Sequence, residues 1–261
     1  MGNRRGRILR LRNEHPVCYF CSTAATETED HVPSRECFHG REGPEGFGFP
    51  ACRNCNNSAG QFEQVVALYM ILANYDDKEP SQQQLERLLQ GVKNNNPDLM
   101  PNVEVNARAA RTHFKQQGKK LRVGETYAGT PLLVLPVGNR DAFELFARRL
   151  ACALFYRQAG KPVPLDYYIA TAWMDWSHPN IAGIAEQFRN FLPEITMTNR
   201  VNTNIGDQFL YLWGLQPDHS IFAFAAQFQK SFLFFGAVAA PHLFVNMDDP
   251  KWKPHHSDVG P

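Results

Sequence analysis

The chain has 261 residues, of which 43% are hydrophobic and 20% are charged, as is typical of a globular protein with one large or two small domains. A net charge of +1 favours no partner by itself, so the distribution of charge along the chain matters more. The sequence contains no run of about 20 apolar residues, so no membrane span is predicted. It also has no apolar run after the first arginines, so no secretory signal is predicted.

The chain begins with a basic arm over residues 1–13. Five arginines precede the first acidic residue, Glu14: Arg4, Arg5, Arg7, Arg10 and Arg12. Such a segment could lie along the phosphates of a nucleic acid, and Arg4, Arg5, Arg7 and Arg10 are the candidate contacts. A solvated, disordered tail is the alternative, because arginine-rich termini are often no more than that.

Four of the six cysteines form two Cys-x-x-Cys pairs, Cys18 with Cys21 and Cys52 with Cys55. A tight turn at each pair directs both sulfurs to one point, and four thiolates satisfy the tetrahedral geometry of zinc. The sequence therefore predicts one structural zinc ion. Such pairs also occur in zinc ribbons, ring-type scaffolds and treble-clef adaptors, so the zinc site alone does not define a function.

Two further motifs accompany the cysteines. Residues 29–33 read Glu-Asp-His-Val-Pro between the pairs, and residues 50–56 read Pro-Ala-Cys-Arg-Asn-Cys-Asn at the second pair. This combination resembles the zinc-stapled branch of the HNH endonuclease family over about residues 14–65. The resemblance implies a treble-clef-like ββα-metal unit, in which two short strands are followed by a helix that starts at the second cysteine pair.

The resemblance also implies a role for three residues. His31 matches the general base of the family, Asp30 matches a carboxylate ligand of a catalytic cation, and Asn56 matches the second ligand. Oxygen ligands suit Mg²⁺ or Mn²⁺, and an imidazole with a pKa of about 6.5 suits proton transfer near neutral pH. The implied activity is hydrolysis of phosphodiester bonds in a nucleic acid, with DNA as the expected substrate.

One position departs from the family pattern. Phe47 falls where the family has its middle asparagine, which braces the loop that carries the base. Asn54, Asn57 or a backbone carbonyl is expected to substitute.

The loop between the two expected strands, residues 35–41, has several polar side chains. Arg35 and Arg41 are candidate contacts to nucleic acid. His39 is an alternative general base, and Cys37 is a free thiol that could touch substrate.

Other readings stay open for this unit. Asp30 could be a helix or turn cap, and His31 a surface histidine of a loop. The alternative function is a non-catalytic, zinc-stapled module that binds nucleic acid or serves as a protein adaptor. As many members of the family belong to bacteria and their phages, the resemblance implies a role in antiviral defence, with a nuclease that the C-terminal domain could switch.

The cysteines also indicate a compartment. Four of them read as metal ligands, and neither Cys37 nor Cys152 requires a disulfide, which favours a cytoplasmic protein. No membrane partner is expected, whereas a partner protein or regulator is a candidate ligand of the C-terminal domain.

Helical spacing predicts the elements that follow the second cysteine pair. The helix of the nuclease module (residues 14–76) should run to about Asn74, with Glu63 placed to favour its positive end. Residues 77–120 form a helical connector, with one helix that Ser81 caps and another over residues 103–117. The second of these is basic and could face DNA or solvent.

The C-terminal segment, residues 121–250, is expected to be a mixed α/β domain. A strand over residues 131–136 precedes a helix that starts at Asn139 or Asp141 and ends at Gly160. Further elements are a strand at 167–174, a helix at 181–191, and strands at 209–213, 221–228 and 232–239, the last two forming an antiparallel hairpin. The predicted fold class is therefore α+β.

Aromatic side chains are frequent in the last strands: Phe222, Phe224, Phe228, Phe232, Phe234 and Phe235. They should fill both faces of a packed sheet, and a platform that stacks bases is the alternative. Residues 251–261, with His255 and His256, are expected to form a loose tail.

Overall fold

The structure is a computed structural model of the chain. It describes residues 4–73, 81–104, 106–116, 118, 121, 126–129, 132–134, 136, 138–175, 183, 186, 196–197, 205–206, 208–229, 231–244 and 251–255. Helices and antiparallel sheets occur together in this part of the chain, so the predicted α+β class is confirmed. Among the described residues, no helix combines the length and the apolar character needed to cross a bilayer.

The helices are α1 (Arg4–Glu14), α2 (Arg53–Ala73), α3 (Ser81–Asn95), α4 (Ala107–Gln116) and α5 (Asn139–Ala159). The strands are β1 (Thr28–His31), β2 (Gly48–Ala51), β3 (Asn102–Glu104), β4 (Leu132–Val134), β5 (Tyr168–Asp175), β6 (Thr196–Met197), β7 (Phe209–Leu215), β8 (Ile221–Phe228), β9 (Phe232–Ala239) and β10 (Trp252–Pro254).

The N-terminal part has the expected order of elements, which is two strands followed by a helix. β1 and β2 pair antiparallel, with Asp30 opposite Phe49 and His31 opposite Gly48. The helix α2 begins at Arg53, inside the second cysteine pair, and runs to Ala73. Because side chains alternate along a strand, Asp30 and His31 lie on opposite faces of this ribbon.

The largest sheet has the strand order β10-β5-β9-β8-β7-β6, and all neighbours are antiparallel. The predicted hairpin is confirmed as β8 and β9. In their register, Ile221 lies opposite Ala239 and Phe228 lies opposite Phe232. All six phenylalanines that the sequence singled out in these strands are buried. A base-stacking platform needs exposed ring faces, so the packed-sheet interpretation is correct for these residues.

The helix α5 lies between α2 and the large sheet. On the sheet side, the Phe143 ring stacks on Trp173 at a centroid distance of 4.3 Å. On the other side, the Tyr156 ring meets Phe49 of β2 edge-on at 6.2 Å. The buried side chains of the ribbon, α2, α5 and the sheet therefore form one continuous cluster. The expected division into domains at residues 76, 120 and 250 stays a prediction.

Two N-terminal and central expectations need correction. Residues 4–14 form the helix α1, so a disordered tail is wrong for them. A helix from residue 103 is also wrong, because Val103 pairs with Leu133 in a short ribbon of β3 and β4. The side chain of Asn106 then caps α4, where its Oδ1 accepts hydrogen bonds from the backbone of Arg108 and Ala109. The helix expected at 181–191 lies outside the described residues, apart from 183 and 186.

The loose tail predicted over residues 251–261 is wrong for residues 251–255, whereas residues 256–261, with His256, lie outside the described part of the chain. β10 pairs with β5, and the backbone N–H of His255 donates to the carbonyl of Tyr167 at 2.8 Å. Arg148 of α5 donates to the carbonyls of Pro254 and His255 at 2.9 and 2.7 Å. The imidazole Nε2 of His255 lies 3.0 Å from Oγ of Ser22, which directly follows the first cysteine pair. His255 therefore contacts the turn that follows the first cysteine pair.

Candidate functional site

The four cysteines of the two Cys-x-x-Cys pairs form a buried cluster. Their sulfur atoms all lie within 4.8 Å of one another. A zinc–sulfur distance of about 2.3 Å places the sulfurs of a tetrahedral site about 3.8 Å apart, so a small contraction would close the cluster around an ion. It could hold a structural metal such as zinc. Within the described residues, no other group of three or more His, Cys, Asp or Glu side chains is arranged to bind a metal.

Local backbone geometry directs the sulfurs inward. At the first pair, the N–H of Ser22 donates to the carbonyl of Cys18 at 3.1 Å, and Ser22 has a positive φ of 59° that closes the turn. At the second pair, the N–H of Cys55 points at the sulfur of Cys52 at 3.4 Å in the first turn of α2. Backbone N–H groups near a thiolate stabilise its charge.

Hydrogen bonds among the thiols shift their pKa values in opposite directions. Hydrogen bonds from the Cys18 and Cys55 thiols hold the pKa of Cys21 well below its usual range. The same contact with Cys21 raises the pKa of Cys18 to about 11, and hydrogen bonding to Cys18 and Cys21 raises that of Cys55. A metal bound by these four sulfurs would displace the thiol protons.

Asp30 is buried on β1 and is held by charge and hydrogen bonding. Only 4% of its surface is exposed. Its Oδ2 accepts a hydrogen bond from the hydroxyl of Tyr19 at 2.8 Å and forms an ion pair with the guanidinium of Arg149. Asp30 is therefore an ion-paired side chain and not a helix or turn cap. Because both partners bind Oδ2, Oδ1 is the oxygen left for another ligand.

Arg149 of α5 joins several parts of the site. Its Nη1 donates to the carbonyl of Cys55 at 2.9 Å, so one guanidinium connects the second cysteine pair to β1. Its Nε lies 3.5 Å from Oε1 of Glu63, and the guanidinium carbon lies 4.9 Å from the ring centre of Phe20. The sequence analysis missed Arg149. The available signal was a pair of arginines that interrupts the apolar pattern of α5, since a buried charge needs a partner.

Glu63 does not have the role that the sequence predicted. It lies in the third turn of α2 rather than at the positive end of the helix, and it is buried beside Arg149. Burial, reinforced by the charge of Asp30, raises the pKa of Glu63 to about 7, although Arg149 opposes the shift. Asp30, Arg149 and Glu63 together form a buried charge cluster with two carboxylates and one guanidinium.

His31 ends β1 and is half-buried. Burial is the main cause that lowers the pKa of its imidazole, and the positive charges of Arg35 and Arg7 lower it further, against the opposing charge of Asp30. The imidazole is consequently neutral near pH 7 and can accept a proton.

Asn56 connects α2 to β1. Its side-chain Nδ2 donates to Oγ1 of Thr28 at 2.5 Å and lies 3.4 Å from the carbonyl of Glu29. These two residues directly precede Asp30 and His31 on β1. The structure therefore brings Asn56 to the strand that carries the other two candidate residues, and its bonded atom is the amide nitrogen rather than Oδ1.

The loop after His31 is braced without an asparagine at position 47. Phe47 is buried, and its backbone carbonyl accepts a hydrogen bond from the N–H of Val32 at 3.2 Å, as expected of a carbonyl substitute. A second brace, missed by the sequence analysis, is Gln84 of α3. Its amide donates to the carbonyls of Glu36 and Phe38 at 3.0 and 2.8 Å, and its Oε1 accepts from the N–H of Gly40 at 3.2 Å.

The candidate arginines differ in their surroundings. Arg7 pairs with Glu29 of β1, and Arg41 pairs with Glu36 at 2.6 Å. Arg10 and Arg35 are exposed. The side chains of Arg4 and Arg5 lie outside the described part of the chain.

The other two side chains of the loop have structural surroundings. Cys37 is fully buried, which raises the pKa of its thiol and makes it unreactive. The backbone N–H of His39 donates to Oε1 of Gln208 at 2.8 Å, which ties the loop to the large sheet.

Comparison of the chain with protein-family models, with curated proteins and with solved structures finds no match.

Proposed function

We propose that the chain is a metal-dependent endonuclease of the HNH type, which hydrolyses phosphodiester bonds in nucleic acid, with DNA as the expected substrate. The observation that carries the proposal is the contact of Asn56 with β1. It joins the start of α2 to the strand that ends in Asp30 and His31. The three residue types that the chemistry requires thus lie on or beside one four-residue strand, with Asp30 and His31 on its opposite faces.

His31 supplies the general base. A neutral imidazole is required to take a proton from water, and burial and the neighbouring arginines favour that form. As the water oxygen bonds to phosphorus and the bond from phosphorus to the leaving oxygen breaks, His31 accepts the proton of the water. The charges of Arg7 and Arg35 near this imidazole also favour the approach of a phosphate group.

Two oxygen atoms are the proposed ligands of a catalytic cation. Oδ1 of Asp30 is left by the contacts of Oδ2, and Oδ1 of Asn56 is left by the contacts of its amide nitrogen. Carboxylate and amide oxygens suit Mg²⁺ or Mn²⁺. Such a cation would neutralise the negative charge that develops on the leaving oxygen. The cysteine cluster would hold zinc in a closed, structural role.

A non-catalytic nucleic-acid or protein adaptor is the second candidate. The burial of Asp30 favours it, because an ion pair with Arg149 gives this carboxylate a structural role without a cation. The two candidates differ in one respect, which is whether the wild-type protein cuts nucleic acid. The defence role and a partner at the C-terminal domain follow only from the endonuclease proposal.

The test compares the wild type with His31→Ala. Purified zinc-loaded protein is incubated with supercoiled plasmid and Mg²⁺, and single-turnover cleavage is measured together with zinc content and plasmid binding. We expect cleavage to fall by roughly 10²- to 10⁴-fold, with zinc content and binding unchanged. The exposed His242 provides the control His242→Ala, which should cut like the wild type.

Two results would contradict the proposal. If the wild type does not cut DNA or RNA with any divalent cation, the endonuclease proposal is wrong, and the adaptor candidate is the one to test by binding. If His31→Ala cuts like the wild type, His31 is not the base, and His39→Ala is then the variant to examine.

A further inference from the structure

Two residues outside the motif hold one oxygen of the Asp30 carboxylate. The hydroxyl of Tyr19 and the guanidinium of Arg149 both bind Oδ2. Two donors on one oxygen fix the rotation of the carboxylate, and both donors are themselves buried. Tyr19 belongs to the first cysteine pair and Arg149 to α5, so distant parts of the chain set the orientation of Asp30.

The net charge of the cluster of Asp30, Arg149 and Glu63 determines how strongly it attracts a cation. Arg149 alone would neutralise Asp30 and leave it little attraction for a cation. Glu63 lies against the other side of this guanidinium, where its Oε1 is 3.5 Å from Nε. With both carboxylates ionised, the cluster keeps a net charge of −1. A buried negative charge of this kind attracts a divalent cation much more strongly than an exposed one.

The only partner that the described residues give Oε1 of Glu63 is the loose ion pair with Arg149. This oxygen is buried and receives no hydrogen bond, and Nε of Arg149 donates none. A neutral glutamine of the same shape would remove the cost of burying this charge. A residue that weakens the fold but supplies charge beside a candidate ligand fits a role in binding the cation.

We propose that Tyr19, Arg149 and Glu63 are positioning residues for the cation at Asp30: Tyr19 and Arg149 hold Oδ2 so that Oδ1 is presented, and Glu63 offsets the charge of Arg149. The inference rests on the proposed function, since it concerns the same cation. It makes the helix α5 part of the candidate active site. It also predicts that cation affinity and protein stability respond in opposite directions to one substitution.

The test measures Mn²⁺ binding by electron paramagnetic resonance at pH 8, on full-length zinc-loaded protein and without nucleic acid. Glu63→Gln removes the offsetting charge and is expected to weaken Mn²⁺ binding about tenfold while the protein becomes more stable. Tyr19→Phe removes one donor to Asp30 and is expected to weaken binding about three- to tenfold, because a hydrogen bond to a charged group is lost.

Two matched controls accompany these variants. Tyr156→Phe deletes another hydroxyl from the core, which is 2.7 Å from Nδ1 of His15 and does not contact Asp30. Glu86→Gln deletes a carboxylate from the exposed face of α3. Both controls should bind Mn²⁺ like the wild type.

The possible results separate this inference from the function on which it rests. Weaker Mn²⁺ binding by Glu63→Gln, with full zinc content and raised stability, supports the inference. Wild-type binding by Glu63→Gln overturns it and leaves the endonuclease proposal standing, even where Tyr19→Phe does not fold. A wild-type protein that binds no Mn²⁺ overturns this inference, and the plasmid cleavage assay then decides the endonuclease proposal separately.

Discussion

The buried carboxylate of Glu63 makes a quantitative prediction about stability and pH. Burial raises its pKa from 4.5 to about 7 in the folded protein. The folded state therefore holds a proton that the unfolded state has already released over this interval. A state that binds more protons is destabilised as pH rises, so Glu63 should lower the free energy of unfolding between about pH 4.5 and pH 7.

The magnitude follows from the two pKa values. A tenfold change in a protonation equilibrium is worth about 1.4 kcal/mol. The rise from 4.5 to about 7 thus corresponds to about 3 kcal/mol, which is complete above pH 7 and absent below about pH 4.5. Glutamine resembles the protonated acid at every pH. Glu63→Gln should consequently gain about 3 kcal/mol over the wild type between acidic and mildly alkaline pH.

Urea unfolding at several pH values from 4.5 to 8, with excess zinc and no Mg²⁺, provides the measurement. The difference between variant and wild type isolates Glu63, since all other titrating groups are common to both proteins. Glu86→Gln is the control, because it makes the same chemical change on the exposed face of α3. Its difference from the wild type should stay within about 0.5 kcal/mol and should not vary with pH.

A difference between Glu63→Gln and wild type that is independent of pH would refute this reasoning. So would a variant that is less stable than the wild type at pH 8. Either result would mean that the Arg149 ion pair outweighs the cost of burying Glu63.

Three other outcomes are expected. Cys52→Ser should lose the bound metal and unfold the N-terminal part, since structural zinc contributes about 10 kcal/mol or more to the free energy of folding. Cys37→Ser should keep its metal, and elemental analysis and circular dichroism check both variants. Cleavage of plasmid should stop when EDTA removes free cations and return with Mg²⁺ or Mn²⁺, and Asn56→Ala should raise the Mg²⁺ concentration required; cleavage that ignores divalent cations would contradict the mechanism. Deletion of residues 251–261 should lower the melting temperature, because Arg148 loses two carbonyl partners worth roughly 1.5–3 kcal/mol each; an unchanged melting curve would contradict the role of β10.

Elements with a strong periodic pattern could be predicted from the sequence. α2, α3, α5, β8 and β9 lie where apolar spacing indicated, because these elements bury one side against a core. β3 and β10 could not be predicted in this way. Each is three residues long and exists only because it pairs with β4 or β5, so its cause is tertiary and not local.

Some residues of the candidate site could likewise be predicted from the sequence, and others could not. The cysteine pairs and the Asp30-His31 motif could be recognised from local spacing in the sequence. The four sulfurs lie within 4.8 Å of one another, as that spacing predicted. Arg149 bonds to Asp30 across 119 positions, and Gln84 braces a carbonyl 48 positions away. No spacing rule connects such residues. The only signal in the sequence was the charge itself, two arginines within the apolar stretch of α5, and it could not have identified the buried partner.

The contact between His255 and Ser22 also has a consequence for biosynthesis. Ser22 directly follows Cys21, whereas His255 is translated about 200 residues after Cys55. At roughly 5–20 residues per second, a ribosome needs about 10–40 s to cover that interval. During this time all four thiols have been made, but His255 has not. A nascent chain thus has an interval of tens of seconds in which its cysteines can acquire metal or be oxidised before the contact of His255 with Ser22 can form.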